Sequence, residues 1–181
     1  MKPKHLTILL LSMLLIFACA SHEKYPSQWD KFQQPASTGC LNISGKYKNA
    51  GMSTTPGYEP ELAWMLFPDE HDLNRQVTHI SFAMKGPDTI TVTLWEKGDA
   101  IFSKGFQRGE QGFYCEDKLI KIKVSENINR DGVLATEWHV LGFGKSGRNL
   151  IVKDENRAIG MMFFIPVAGT ATRWYRFEPS K

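Results

Sequence analysis

Along most of the chain after residue 77, apolar and polar residues alternate with a period of two. In Thr89-Ile90-Thr91-Val92-Thr93-Leu94, the aliphatic side chains fall on one face and the threonines on the other. Ile120, Ile122 and Val124 alternate with Lys121 and Lys123, and Ile80, Phe82 and Met84 alternate with His79, Ser81 and Ala83. Each run predicts a strand with one buried and one wet face, as antiparallel sheets allow. Strand-like stretches lie near 43–48, 77–84, 89–96, 100–106, 112–116, 118–125, 133–143, 148–153, 158–165 and 171–178. They read as eight or nine strands, because neighbouring stretches can join as one bent strand. Breaker clusters separate them: Gly86-Pro87-Asp88, Lys97-Gly98-Asp99, Asn129-Arg130-Asp131-Gly132 and Gly144-Lys145-Ser146-Gly147. One helix is predicted, Glu61 to Phe67, bracketed by Pro60 and Pro68. The pattern is all-β, a sandwich or barrel rather than βαβ units.

The N-terminus has another texture. Lys2 and Lys4 precede an apolar run, Leu6 to Phe17, interrupted only by Thr7 and Ser12. That run is shorter than the roughly 20 residues a spanning helix needs, and the basic-then-apolar order is that of a secretory signal over residues 1–18. Its end, Leu15-Ile16-Phe17-Ala18-Cys19, resembles the lipobox of bacterial lipoproteins, with Ile16 aliphatic, Ala18 small and Cys19 at the lipidated position. The resemblance implies a lipid-anchored envelope protein. Ala20 rather than Asp after the cysteine implies the outer membrane, facing the periplasm. The residues also permit a second cut: Ala18-Cys19-Ala20 is a small-x-small site, and cleavage after Ala20 gives a soluble product without Cys19.

Two cysteines remain, Cys40 and Cys115. In an oxidising compartment an even pair reads as one disulfide; two separate buried thiols are the alternative. Neither has a Cys or His at metal-ligand spacing, so no metal or cofactor is expected. Two of the 22 basic residues lie in the signal and none of the 19 acidic ones do, so the mature chain is near neutral, which gives no electrostatic case for nucleic acid. Residues 19–39, polar and holding Pro26 and Pro35, read as a lipidated cysteine and tether. Tyr25, Trp29 and Phe32 are the groups by which part of the tether can dock on the body. Residues 40–181 read as one domain.

Gly45-Lys46-Tyr47 and Arg173-Trp174-Tyr175-Arg176-Phe177 resemble the two ends of lipocalin-type barrels, which open with Gly-x-Trp and carry a late arginine on that ring. The resemblance implies an up-and-down sheet closing into a small barrel, with one short helix. A barrel cavity would suit a hydrophobic ligand.

Several constellations carry candidate chemistry. Phe143-Gly144-Lys145-Ser146 looks like the end of a phosphate-binding loop, but His139 stands where the motif needs glycine, so a hairpin turn is expected. Asp69-Glu70-His71-Asp72 is contiguous and lacks the turn glycine of a Ca²⁺ loop, so it reads as a solvated acidic loop. Glu137 and His139 lie two apart on one strand face, as a surface pair or a charge relay, and a hydrolase would draw on His71, His79 or His139. Ile159-Gly160-Met161-Met162-Phe163-Phe164-Ile165 is apolar on both faces, and must be covered or offer a sticky patch. Met162, Phe164, Trp174 and Arg176 are therefore the expected partner-binding residues. The sequence favours a non-enzymatic, membrane-anchored domain that binds an envelope protein, with a carrier of a small hydrophobic ligand as the alternative.

Overall fold

The computed structural model describes residues 19–33, 40–130, 133–162 and 165–180. In chain order the strands are β1 (Cys19–His22), β2 (Gly45–Lys48), β3 (Met52–Ser53), β4 (His79–Met84), β5 (Thr89–Glu96), β6 (Asp99–Gln107), β7 (Phe113–Glu116), β8 (Leu119–Arg130), β9 (Val133–Ser146), β10 (Asn149–Met162) and β11 (Ile165–Phe177). The helices are α1 (Leu62–Leu66) and α2 (His71–Asn74).

The strands form two sheets. One runs β2-β4-β5-β6 and the other β1-β11-β10-β9-β8-β7, with β3 also on β11. Neighbouring strands within each sheet pair antiparallel, except β1, which lies parallel on β11. Two-residue turns fix several registers. Lys97 and Gly98, at φ 47° and 107°, join β5 to β6, and Asp117 and Lys118, at φ 52° and 68°, join β7 to β8. Positive φ at both turn residues matches the twist of the strands being joined. The Gly144-Lys145-Ser146 run is strand leading into the Gly147–Arg148 turn between β9 and β10, so the hairpin reading holds.

The alternation dictates the core. Ile80, Phe82, Ile90, Val92 and Leu94 from the small sheet meet Phe113, Ile120, Ile122, Leu141, Phe143, Val152 and Tyr175 from the large one in one buried cluster. Phe82 and Phe143 touch across the layers, ring centroids 5.5 Å apart. α1 closes one end, burying Leu62, Ala63 and Leu66. Its start lacks a cap of its own. The buried Asn49 supplies one, accepting from the Ala63 N–H at 2.8 Å and donating to the Val77 carbonyl at 3.1 Å.

The expected barrel is overturned: neither sheet closes on itself. The sheet edges meet at isolated bridges, Tyr47 with Pro179 and Arg108 with Phe113, instead of along a ladder. Closure needs continuous pairing right round and a constant register offset. Here strands of 4–9 residues face strands of 12–14, and large side chains fill the space between. Tyr47, the residue of the lipocalin-like opening, is buried, its hydroxyl donates to the Ile43 carbonyl at 3.0 Å, and burial pushes its pKa up to about 12. The arginine stack goes elsewhere, Arg176 lying 5.6 Å from the Trp29 ring.

Two boundaries also shift. The stretches 148–153 and 158–165 are not separate strands: the first opens β10, residues 158–162 are its far half, and Ile165 opens β11. Part of the acidic run expected as loop is the single turn α2.

The tether docks. Tyr25, Trp29 and Phe32 form a second cluster with Ile151 and Trp174 on the outer face of the large sheet. Gly144 makes room for it, since a Cβ there would stand 2.6 Å from the Phe32 ring.

Cys40 and Cys115 stand with Cα atoms 5.5 Å apart, at disulfide-bonding distance, across 75 residues of sequence. The link ties the start of the domain to β7, the edge of the large sheet. Chain entropy gives a loop of this length about 4.5 kcal/mol of stabilisation. A Cys40→Ser/Cys115→Ser protein is expected to unfold several degrees below the wild type in a thermal melt, and dithiothreitol is expected to shift the wild type alone. Equal melting of both proteins under oxidising conditions would count against the link.

Candidate functional site

The near halves of β8 to β11 face the small sheet, and the far halves extend past it. Where the cover ends, the inner face turns polar. Ile122, Leu141, Val152 and Tyr175 are core, but the next inner positions are His139 and Glu137 on β9, Asp154 and Asn156 on β10 and Arg173 on β11. These groups, with Tyr58, Glu59, Glu61, Trp64 and Met65 from the α1 region, line a pocket of about 480 Å³.

His139 is its centre. Its Nδ1 lies 2.9 Å from the buried Asp154 carboxylate and its Nε2 lies 3.2 Å from Glu137, which also accepts from Asn156 Nδ2 at 3.2 Å. Burial alone lowers the pKa of this imidazole. The hydrogen bond and charge of Asp154, and then of Glu137, more than reverse that and hold it above the ordinary value. Arg173 and Tyr175 are hydrogen-bonded beside it, and burial keeps the Tyr175 phenol protonated. Carboxylates engage both ring nitrogens, so neither is presented to a substrate as a general base. The Glu137–His139 pair expected from the sequence does form. Asp154, fifteen residues on, was missed because a diagonal neighbour on another strand leaves no local spacing signal.

The outer face carries a half-open groove of about 790 Å³ lined by Tyr114, Lys121, Lys123, Trp138, Glu155, Arg157 and Ile159 among others. Trp138 stands 44 % exposed on β9, between Ser125 of β8 and Arg157 of β10. The floor beneath is polar and fixed. The buried Lys121 ammonium donates to Glu116 at 2.6 Å and Glu155 at 3.4 Å, and Lys153 also binds Glu155. Lys123 lies 5.7 Å above the Tyr114 ring. Local alternation hides Trp138: it shares a face with Val140, opposite Glu137 and His139, which is the pattern of a buried side chain.

Of the expected partner-binding residues, Trp174 and Arg176 are engaged by other parts of the chain. Trp174 is buried under Tyr25 and Phe32, its indole N–H donating to the Glu23 carbonyl at 3.1 Å. Arg176 stacks on Trp29 and donates to Met52 Sδ at 2.9 Å. Met162 ends β10 at the far tip of the sheet, and Phe164 lies outside the described residues. Cys19 opens β1.

No protein-family model, curated protein or solved structure matches the chain. The three histidines of the hydrolase reading sit on separate elements. His71 is exposed on α2, 5.1 Å from the Trp64 ring. His79 is buried on β4 against Trp95, its pKa lowered by burial and then by Lys46. Among the described residues no group of three or more His, Cys, Asp or Glu side chains is placed to hold a metal ion.

The raised His139 pKa has a definite pH signature. The stability it contributes is fully present below the unfolded-state pKa, about 6.5, and is lost as pH rises through the higher folded value. The stability gap between wild type and His139→Gln, measured by urea titration, is expected to be largest near pH 6 and to shrink above it. A gap that widens with rising pH would contradict the assignment.

Proposed function

We propose that the chain is an exported domain, held on a membrane by lipid on Cys19, that binds a protein partner in the cell envelope without catalysis. The observation that carries it is Trp138. A large aromatic side chain standing in a groove, ringed by Lys123, Glu155 and Arg157, has the composition of an interface anchor with a charged rim. The groove lies on the outer face of the sheet, so a partner reaches it without opening the core. A half-buried, doubly paired His139 suits a fixed scaffold better than acid–base turnover. The carrier alternative depended on a barrel lumen; the layers instead meet in side chains.

Two measurements test the halves of this proposal. The mature protein is expected to begin at Cys19 with added acyl mass; a start at Ser21 without it removes the anchor. A photo-crosslinking residue at position 138 is expected to give one dominant adduct in cells, and one at Lys97 none. The same adducts from both positions, or none from 138, would remove Trp138 as the contact.

A further inference from the structure

We infer that the far end of the β10–β11 hairpin, around Met161 and Val167, inserts into the membrane that holds Cys19. The inference rests on the anchoring half of the proposal above.

The register supplies the geometry. β1 lies parallel on β11 with Cys19 beside Gly169 and His22 beside Thr172. The chain therefore enters at the far end of the large sheet and runs toward the core. Whatever membrane-seeking group is attached at Cys19 is fixed beside that end. From Gly169 to the start of β11 at Ile165 the strand continues past the anchor by about 13 Å, at about 3.3 Å per residue. Interfacial segments bury about 5–10 Å into the headgroup–acyl boundary, so this reach is sufficient.

The chemistry of the end matches. Ile159 is 61 % exposed, Leu134 51 %, Met161 46 % and Val167 37 %. From Ala158 to Ala168 the sequence holds no charged residue. Arg157 is the charge that bounds this segment on β10, and it is exposed at the height of Thr170, next to the anchor, where a guanidinium meets lipid headgroups.

Both faces of the hairpin are apolar. Leu134 and Met161 are register partners on the outer face, whereas Val167 pairs with Gly160 on the inner face. A protein partner covers one face of a sheet, but a bilayer surrounds both. β8, which carries Asn127 and Asn129 at this height and Arg130 level with Met162, lies on the side away from β1. Insertion is thus oblique, deepest at β10–β11.

The test uses the full chain, purified in detergent and reconstituted into phosphatidylethanolamine–phosphatidylglycerol vesicles. An environment-sensitive fluorescent residue is placed at 161, or at 148 in the turn at the opposite end of β10. Lipids brominated on the acyl chain are expected to quench the probe at 161 several-fold more than the probe at 148. Quenching at 161 is expected to fall to the level at 148 when Val167→Asp is added, with the melting temperature unchanged. Equal, weak quenching at both positions in the otherwise wild-type chain overturns the inference, as does a photo-crosslinker at 161 that captures protein and not lipid. Intact mass of the same sample separates the two ideas. Strong quenching at 161 without acyl mass removes the lipid on Cys19 and keeps the inserted tip. Acyl mass without quenching does the reverse.

Discussion

The structure depends on a mismatch of length. The small sheet covers strands of the large one that are longer than itself. Where two layers overlap, aliphatic and aromatic side chains from both faces pack into a filled core, as apolar area leaves water on both sides at once. Where the cover stops, the same inner face has no opposing sheet among the described residues, only the edge of the α1 region. A buried apolar row cannot continue there, and the sequence changes to His139, Glu137, Asp154, Asn156 and Arg173. Beyond that polar belt the far end turns apolar again, with Leu134, Ile159, Met161 and Val167 exposed.

These three zones make a coherent molecule. The core end is pinned by the Cys40–Cys115 link and by α1. The polar belt satisfies its own charges, since each carboxylate around His139 has a hydrogen-bond partner. A half-paired belt would be costly this close to the core. The outer face is partly sealed by Tyr25, Trp29 and Phe32, and the unsealed part holds Trp138. The tether is thereby a structural element, aligned by β1 along β11. That alignment couples Cys19 to the orientation of the whole sheet, a coupling a flexible linker of similar length would lack.

Much of this was legible in the sequence, and the failures have physical causes. Period-two runs such as Thr89–Leu94 fixed strand faces, and Lys97-Gly98 and Gly147 fixed hairpins, because both signals are local. Proline brackets found α1. The short α2 lay in an acidic run with no apolar stripe, so it read as loop. Closure into a barrel failed because alternation says which face of a strand is wet, not which strand becomes an edge. The far half of β8, Glu126-Asn127-Ile128-Asn129, does not alternate apolar against polar, because no second layer requires it there. The apolar run 159–165 stands out in the sequence; that its residues 159–162 end β10 and Ile165 opens β11 follows from register, which needs the partners' positions. The pocket around His139 combines residues from four strands and the α1 region, and residue spacing along the chain exposed only its Glu137–His139 pair.

The mismatch of lengths is tested most directly by amide hydrogen exchange along β10 in the membrane-free protein. Amides that the second layer covers, such as those of Ile151 and Val152, should exchange only through global unfolding. Those of Ala158 and Met161 should open locally at much lower free energy, with the step falling near Asp154 to Asn156. Protection that stays uniform from Ile151 to Met161 would contradict the account, because it would mean that the far half of the sheet does not depend on a covering layer.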